Sequence, residues 1–378
     1  MPSPLFTPFQ LGSVTIPNRL GMSSLTRNRS SATVPNELMK QYYDQRACGG
    51  AGLIVSEGVL ITRQGTEWPN APGIWDKVQV REWKKITSSV QALGSKIYAQ
   101  LWHLGRISHP EAPEQIAAGV PVYAPSAISA RGGRFRFIEG CPGYVTPTEI
   151  QDPTILIAQF KQAAVNAKEA GFDGVELHGA SGFLVHQFLD STSNKRTDNW
   201  GGSVQNRARF ALETLKALIE VYGCDVAIKL SPTGGYNDMG MPLKETIDTF
   251  SYLLREINRL SLSYVCLVRF NAIYHDPEYD GKKRAIRHDV LETYAPFLGN
   301  TPIFINSEVT PAEAEELVGS GRVAGVFLGI DWITHPDLGR RIQAEKALDN
   351  VPDYGSFYGT PGMDPAVGYI DYKVAVTD

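Results

Sequence analysis

The densest run of reactive side chains in the sequence is His178-Gly179-Ala180-Ser181-Gly182-Phe183-Leu184-Val185-His186. A histidine and a serine three residues apart share one face if a helical turn begins after His178. Two donors so placed can hold one substrate oxygen and stabilise negative charge developing on it. A histidine that only ties down a loop is the plainer reading, and these residues alone leave both open.

Other polar residues follow short apolar runs: Thr26, Glu57-Gly58, Gln100, Lys229, Arg269, Asn306 and Gly329. They converge if each run is a strand that ends at a common mouth. The runs predict strands over 19–23, 53–59, 96–101, 174–178, 226–230, 264–268, 302–306 and 325–328. A helical pattern follows each, over 35–48, 80–93, 153–170, 204–222, 243–260, 288–297, 311–318 and 337–347. Asp152-Pro153 and Thr310-Pro311 read as helix starts, and Gly49 and Gly171 as stops. Eight β-then-α units predict an α/β chain closed as a (β/α)8 barrel, with an open doubly wound sheet as the alternative. Functional residues of such a barrel lie at the C-terminal strand ends. Residues 1–378 read as one domain. Residues 104–150 are too long for a simple loop and predict a hairpin-like insertion capping the mouth. The Gly-, Tyr- and Phe-rich stretch 354–372 is a second candidate for the rim.

Composition excludes several function classes. The 36 basic and 40 acidic residues give a net charge of −4 without a basic block, which argues against nucleic acid or anionic membrane as partner. No apolar run approaches a membrane span and the first residues do not read as a signal peptide, so the expectation is a cytoplasmic protein acting on a small molecule. The four cysteines (Cys48, Cys141, Cys224, Cys266) have no metal or redox spacing, and no metal site is expected. HExxH, GxSxG, Walker A and GxGxxG are all absent. Oligomeric state is not legible.

The block HGASGFLVHQFLDSTSNKRTDNWGGSVQNRARF resembles the signature of the Old Yellow Enzymes, the FMN-dependent ene-reductases. The similarity also includes LFTPFQLGSVTIPNRLGMSSLTRNRS, NAPGIW, AQLWHLGR and GYIDY, nearly the whole chain. It implies a flavin across the barrel mouth that takes hydride from NAD(P)H and passes it to the β-carbon of an activated alkene. It also implies a His/His or His/Asn pair on the substrate carbonyl and a tyrosine that protonates the α-carbon. On this resemblance Thr26, Gly58 and Gln100 match flavin-ring positions, Trp102 a pocket wall, and His178 the first oxygen-holding residue.

The sequence departs from that pattern at the chemistry. Ser181 stands for the second oxygen-holding residue, and Phe183, which has no proton to give, for the tyrosine. Ile330, beside Asp331, stands where the resemblance places a phosphate-binding arginine. Asn306-Ser307-Glu308 replaces a glycine pair that lets backbone N–H groups close on the phosphate. Lys229 replaces an arginine, keeping charge but losing the planar fork. Compensation by Arg322 or Arg340 would leave the flavin in place.

The reading placed first is a redox-neutral enzyme on an unsaturated carbonyl compound, catalysing isomerisation, conjugate addition or cyclisation in specialised metabolism. His178 and Ser181 would polarise the oxygen, Tyr236 and Tyr358 would act as substitute acids, and Arg269 would line the pocket with Trp102 and Phe183. The alternative is an FMN- and NAD(P)H-dependent ene-reductase, which would use Thr26, Gly58, Gln100 and Lys229 on the flavin. A barrel that only binds is the third reading.

Overall fold

The computed structural model describes residues 3–272, 278, 279 and 281–375. Eight parallel strands close in chain order into a barrel: β1 Leu20–Met22, β2 Leu53–Leu60, β3 Lys96–Trp102, β4 Gly174–Gly179, β5 Val226–Leu230, β6 Tyr264–Val268, β7 Ile303–Asn306 and β8 Gly325–Leu328. Around it run α1 Glu37–Cys48, α2 Lys77–Ala92, α3 Thr154–Glu169, α4 Val204–Tyr222, α5 Leu243–Ile257, α6 Val290–Tyr294, α7 Pro311–Gly319 and α8 Leu338–Gln343. The open-sheet alternative is thereby excluded. The Thr310 hydroxyl caps α7 by accepting from the Glu313 N–H at 3.2 Å, as the Thr-Pro pair predicts.

The two-residue strand period sets up the site. On β6, Tyr264 and Cys266 face the barrel interior, while Val265 and Leu267 pack outward against helices. Tyr98, Tyr264, Phe304 and Phe327 fill the interior, with ring centroids 4.9–5.9 Å apart. A hairpin of Phe9–Leu11 and Val14–Ile16 plugs the lower end with Leu11 and Ile16. Gln100, Glu176 and Lys229 bring polar groups into the barrel above this layer. Gln100 donates to Glu176 at 2.7 Å, Tyr264 donates to the other Glu176 oxygen at 2.8 Å, and Lys229 donates to Ser23 at 2.8 Å.

Residues 104–150 do leave the barrel after β3, but not as an antiparallel hairpin. Tyr123–Ala124 and Thr148–Glu149 pair in parallel, because the chain between them loops round and re-enters in its original direction, and no residue of 104–150 is among those lining the cavity at the strand ends. Arg131 binds Asp238 through Nη2 at 2.7 Å, and the Tyr144 hydroxyl donates to Asn237 at 2.8 Å, fastening this segment to the loop after β5.

The tail is held by buried arginines. Arg27 donates to the carbonyls of Phe357 and Gly368, Arg29 to those of Ser356 and Pro365, and Arg46 to that of Tyr369. Tyr42 and Tyr369 stack at 4.2 Å beside these guanidiniums. Burial lowers Arg46 to about 10. Among the described residues no helix is long and apolar enough to cross a membrane, and no His, Cys, Asp and Glu group could hold a metal ion.

Candidate active site

A cavity of about 420 Å³ opens at the C-terminal strand ends. Its floor is Ser23, Lys229, Asn306 and Phe327, the inward residues of the barrel. Trp68, Trp102, Phe183 and Tyr236 form one side. Phe357 and Tyr358 come from the tail, so that stretch does reach the rim.

His178 ends β4 beside this wall, with its ring centroid 6.3 Å from Trp102 and 4.9 Å from Phe183. Its Nδ1 accepts from the Ala180 N–H at 3.4 Å, which leaves the proton of a neutral ring on Nε2. Burial, then the neighbouring Lys229 charge, holds the imidazole well below its ordinary pKa. At neutral pH the ring is a neutral hydrogen-bond donor.

Ser181 lines the cavity, but not on a shared helical face with His178. Its φ is +57°, its N–H is held by Ser231 at 2.8 Å, and the following helix begins only at Leu184. A left-handed turn brings Ser181 into the lining where a helical turn was expected, whereas His178 packs against Trp102 and Phe183 and is not itself among the lining residues. Asn237 fixes that turn by donating to the Ser181 carbonyl at 2.8 Å.

Tyr236 and Tyr358 both line the cavity, as do Trp102, Phe183, Thr26 and Lys229. Gln100 and Gly58 lie beneath it. The Gln100 amide accepts from Ser24 at 2.7 Å while donating to Glu176. Trp102 covers Gly58 so closely that a Cβ there would sit 2.4 Å from the indole.

Arg269 is not a pocket residue. Its guanidinium turns away to Glu313 and to the carbonyls of Ser307 and Glu308. At this end of the cavity the lining residues are Ser307, Glu308, Ile330 and Asp331. Arg322 pairs with Glu292, and Arg340 borders a separate cleft with Glu37 and Asp44, so neither joins the cavity lining. Burial raises Asp331 above its ordinary range.

The chain matches the family model described as NADH:flavin oxidoreductase / NADH oxidase family over residues 4–349. It belongs to that family. Among curated relatives it is 38% identical to the NADP-dependent oxidoreductase lnbE of Aspergillus flavus, over 98% of this chain and 96% of that protein. It is 35% identical to the probable inactive reductase easA of Epichloe festucae var. lolii, over 98% and 95%. Among solved structures, morphinone reductase superposes with a TM-score of 0.86 at 34% identity, covering 98% of this chain and 96% of that one. The Old Yellow Enzyme resemblance therefore holds for the whole barrel.

Sequence reasoning missed Trp68 as a lining residue and Glu67 next to it in the chain. Glu67 is buried, its Oε2 has no hydrogen-bond partner, and burial pushes its carboxyl up to about 8. A charged residue amid the glycines and aromatics of Gln64-Gly65-Thr66-Glu67-Trp68 was the available signal.

Proposed function

We propose that this Old Yellow Enzyme-family chain is a redox-neutral enzyme that works without flavin on an α,β-unsaturated carbonyl compound. The observation that carries the reading is the lining of the cavity between the ends of β7 and β8. Glu308 and Asp331 stand there with Ile330, and the nearby guanidinium of Arg269 is committed to Glu313.

These residues do not fit a dianionic phosphate. Each missing charged hydrogen bond costs roughly 1.5–3 kcal/mol of affinity, and two or three together amount to several powers of ten. The two carboxylates repel the same group further.

His178 donates Nε2–H to the substrate carbonyl oxygen, and the Ser181 hydroxyl supplies a second donor. Charge building on that oxygen is stabilised by these donors beside the aromatic wall of Trp102, Phe183 and Trp68. Withdrawing electron density from the conjugated system favours isomerisation, conjugate addition or cyclisation and needs no hydride. Tyr236 and Tyr358 are the hydroxyls placed to move a proton, since Phe183 cannot.

The family itself favours a second reading, an FMN- and NAD(P)H-dependent ene-reductase, because relatives such as lnbE are named as oxidoreductases. The relative named as a probable inactive reductase supports the first reading. An absorption spectrum of the purified protein, followed by FMN titration, separates them. The proposal expects a colourless protein with no saturable FMN binding, and enone turnover without NAD(P)H. A stoichiometric flavin band sinks it and restores the reductase.

A further inference from the structure

We propose that Lys229 is a nucleophile that captures a substrate aldehyde or ketone as an iminium ion. The inference rests on the flavin-free reading above, because a flavin in the cavity would cover this side chain.

Lys229 sits on the fifth strand and points into the mouth of the barrel, where its side chain forms part of the cavity floor. It is only 8% exposed. Among the described residues its single hydrogen-bond partner is the Ser23 hydroxyl, at 2.8 Å. No described carboxylate forms an ion pair with it, and Glu176 below is already engaged by Gln100 and Tyr264. A buried amine whose charge is balanced only at a distance by Glu176, and which faces an open cavity, keeps a nitrogen that a bound carbonyl can reach. Lysine can also do what the expected arginine cannot, which is add to a carbonyl carbon.

The neighbour fits the step. His178 and Lys229 are register partners on adjacent parallel strands, so both side chains leave the same face at the same height. As the nitrogen lone pair adds to the carbonyl carbon, the C=O π pair moves onto oxygen, and two of the three ammonium protons pass in turn to that oxygen. The neutral His178 donates a hydrogen bond to that oxygen, which leaves as water as C=N forms. Overall, one ammonium and one carbonyl become one iminium and one water. The positive charge near Glu176 is conserved, so the barrel interior needs no electrostatic rearrangement. An iminium draws electrons from a conjugated alkene more strongly than a hydrogen-bonded carbonyl does, which serves the redox-neutral chemistry.

The test is reductive trapping. The whole protein, first checked for flavin absorbance, is incubated with cinnamaldehyde and sodium cyanoborohydride, digested, and mapped by mass spectrometry. The expected result is an adduct at Lys229 at least tenfold above that at any exposed lysine, and its loss in Lys229→Met and Lys229→Arg. Adducts spread over surface lysines with none at Lys229 in a colourless protein overturn this inference and leave the redox-neutral reading standing. Bound flavin in the first check overturns both.

Discussion

The guanidinium of Arg269 lies fork to fork with the carboxylate of Glu313, Nη1 to Oε1 at 2.6 Å and Nη2 to Oε2 at 2.9 Å. The same side chain holds the Ser307 carbonyl through Nε at 3.0 Å and also binds that of Glu308. Ser307 and Glu308 have φ of +77° and +51°, so the turn keeps a glycine-like backbone without glycine. Arg269 is therefore the brace of the turn at the end of β7.

Removing the brace should cost stability and spare binding. Arg269→Ala is expected to destabilise the protein by roughly 1–3 kcal/mol, since a half-exposed ion pair is weak but two carbonyls also lose a partner. Affinity for a neutral enone, followed by tryptophan fluorescence, should change less than twofold. A tenfold loss would return Arg269 to the pocket.

The flavin-phosphate argument is reversible by design. Ile330→Arg with Ser307→Gly and Glu308→Gly should raise FMN affinity at least a hundredfold in a titration. Each glycine should also stabilise the turn by roughly 0.5–1 kcal/mol by removing left-handed strain. No gain in FMN affinity would mean that the two acids and Ile330 are not what excludes the phosphate.

His178→Ala should lower enone turnover by roughly 10²–10³, the usual loss for an oxyanion donor. Because the ring stays neutral well below its ordinary pKa, the wild-type pH–rate profile should show no imidazole inflection between pH 6 and 7. Such an inflection, absent from the variant, would refute the neutral-donor assignment.

Phe183→Tyr restores a phenol between Trp102 and His178. If the chemistry is redox-neutral, NADPH consumption with an enone should stay at background in this variant. A rise in enone-dependent NADPH oxidation would favour the reductase reading.

Two buried groups should titrate in opposite senses. Glu67 is raised to about 8, so its folded-state stabilisation is present below pH 4.5 and lost as pH rises towards 8. Glu67→Gln should therefore gain in melting temperature over wild type, increasingly from pH 5 to 8. His103 is lowered to about 3 by burial, so its contribution is full above pH 6.5 and lost as pH falls below it. His103→Gln should lose up to ~1.4 kcal/mol per pH unit of the acid slope below pH 6.5. Parallel melting curves for wild type and either variant would contradict the corresponding assignment.

All eight strands and the order of the helices were legible, because short apolar runs and the amphipathic runs between them are local signals. The strand-end residues His178, Lys229 and Asn306 followed from where those runs stop. What lay beyond local pattern depended on distant partners. Arg269 was placed in the pocket because nothing near it predicts Glu313, 44 residues on. Ser181 was expected on a helix because its left-handed turn is set by Ser231 and by Asn237, 56 residues away. Trp68 reaches the cavity on a loop, which has no period to read, whereas composition alone pointed the tail that contributes Phe357 to the rim.

The three buried arginines that grip the tail also order events during synthesis. Arg27, Arg29 and Arg46 enter the core early in the chain, yet carbonyls they require belong to residues 356–369. A nascent chain halted near residue 350 would carry guanidiniums with acceptors missing and a cavity without Phe357 and Tyr358. The roof of the site and the quenching of these charges thus arrive in one late docking step, and a ribosome-tethered barrel would bind no substrate until it is complete.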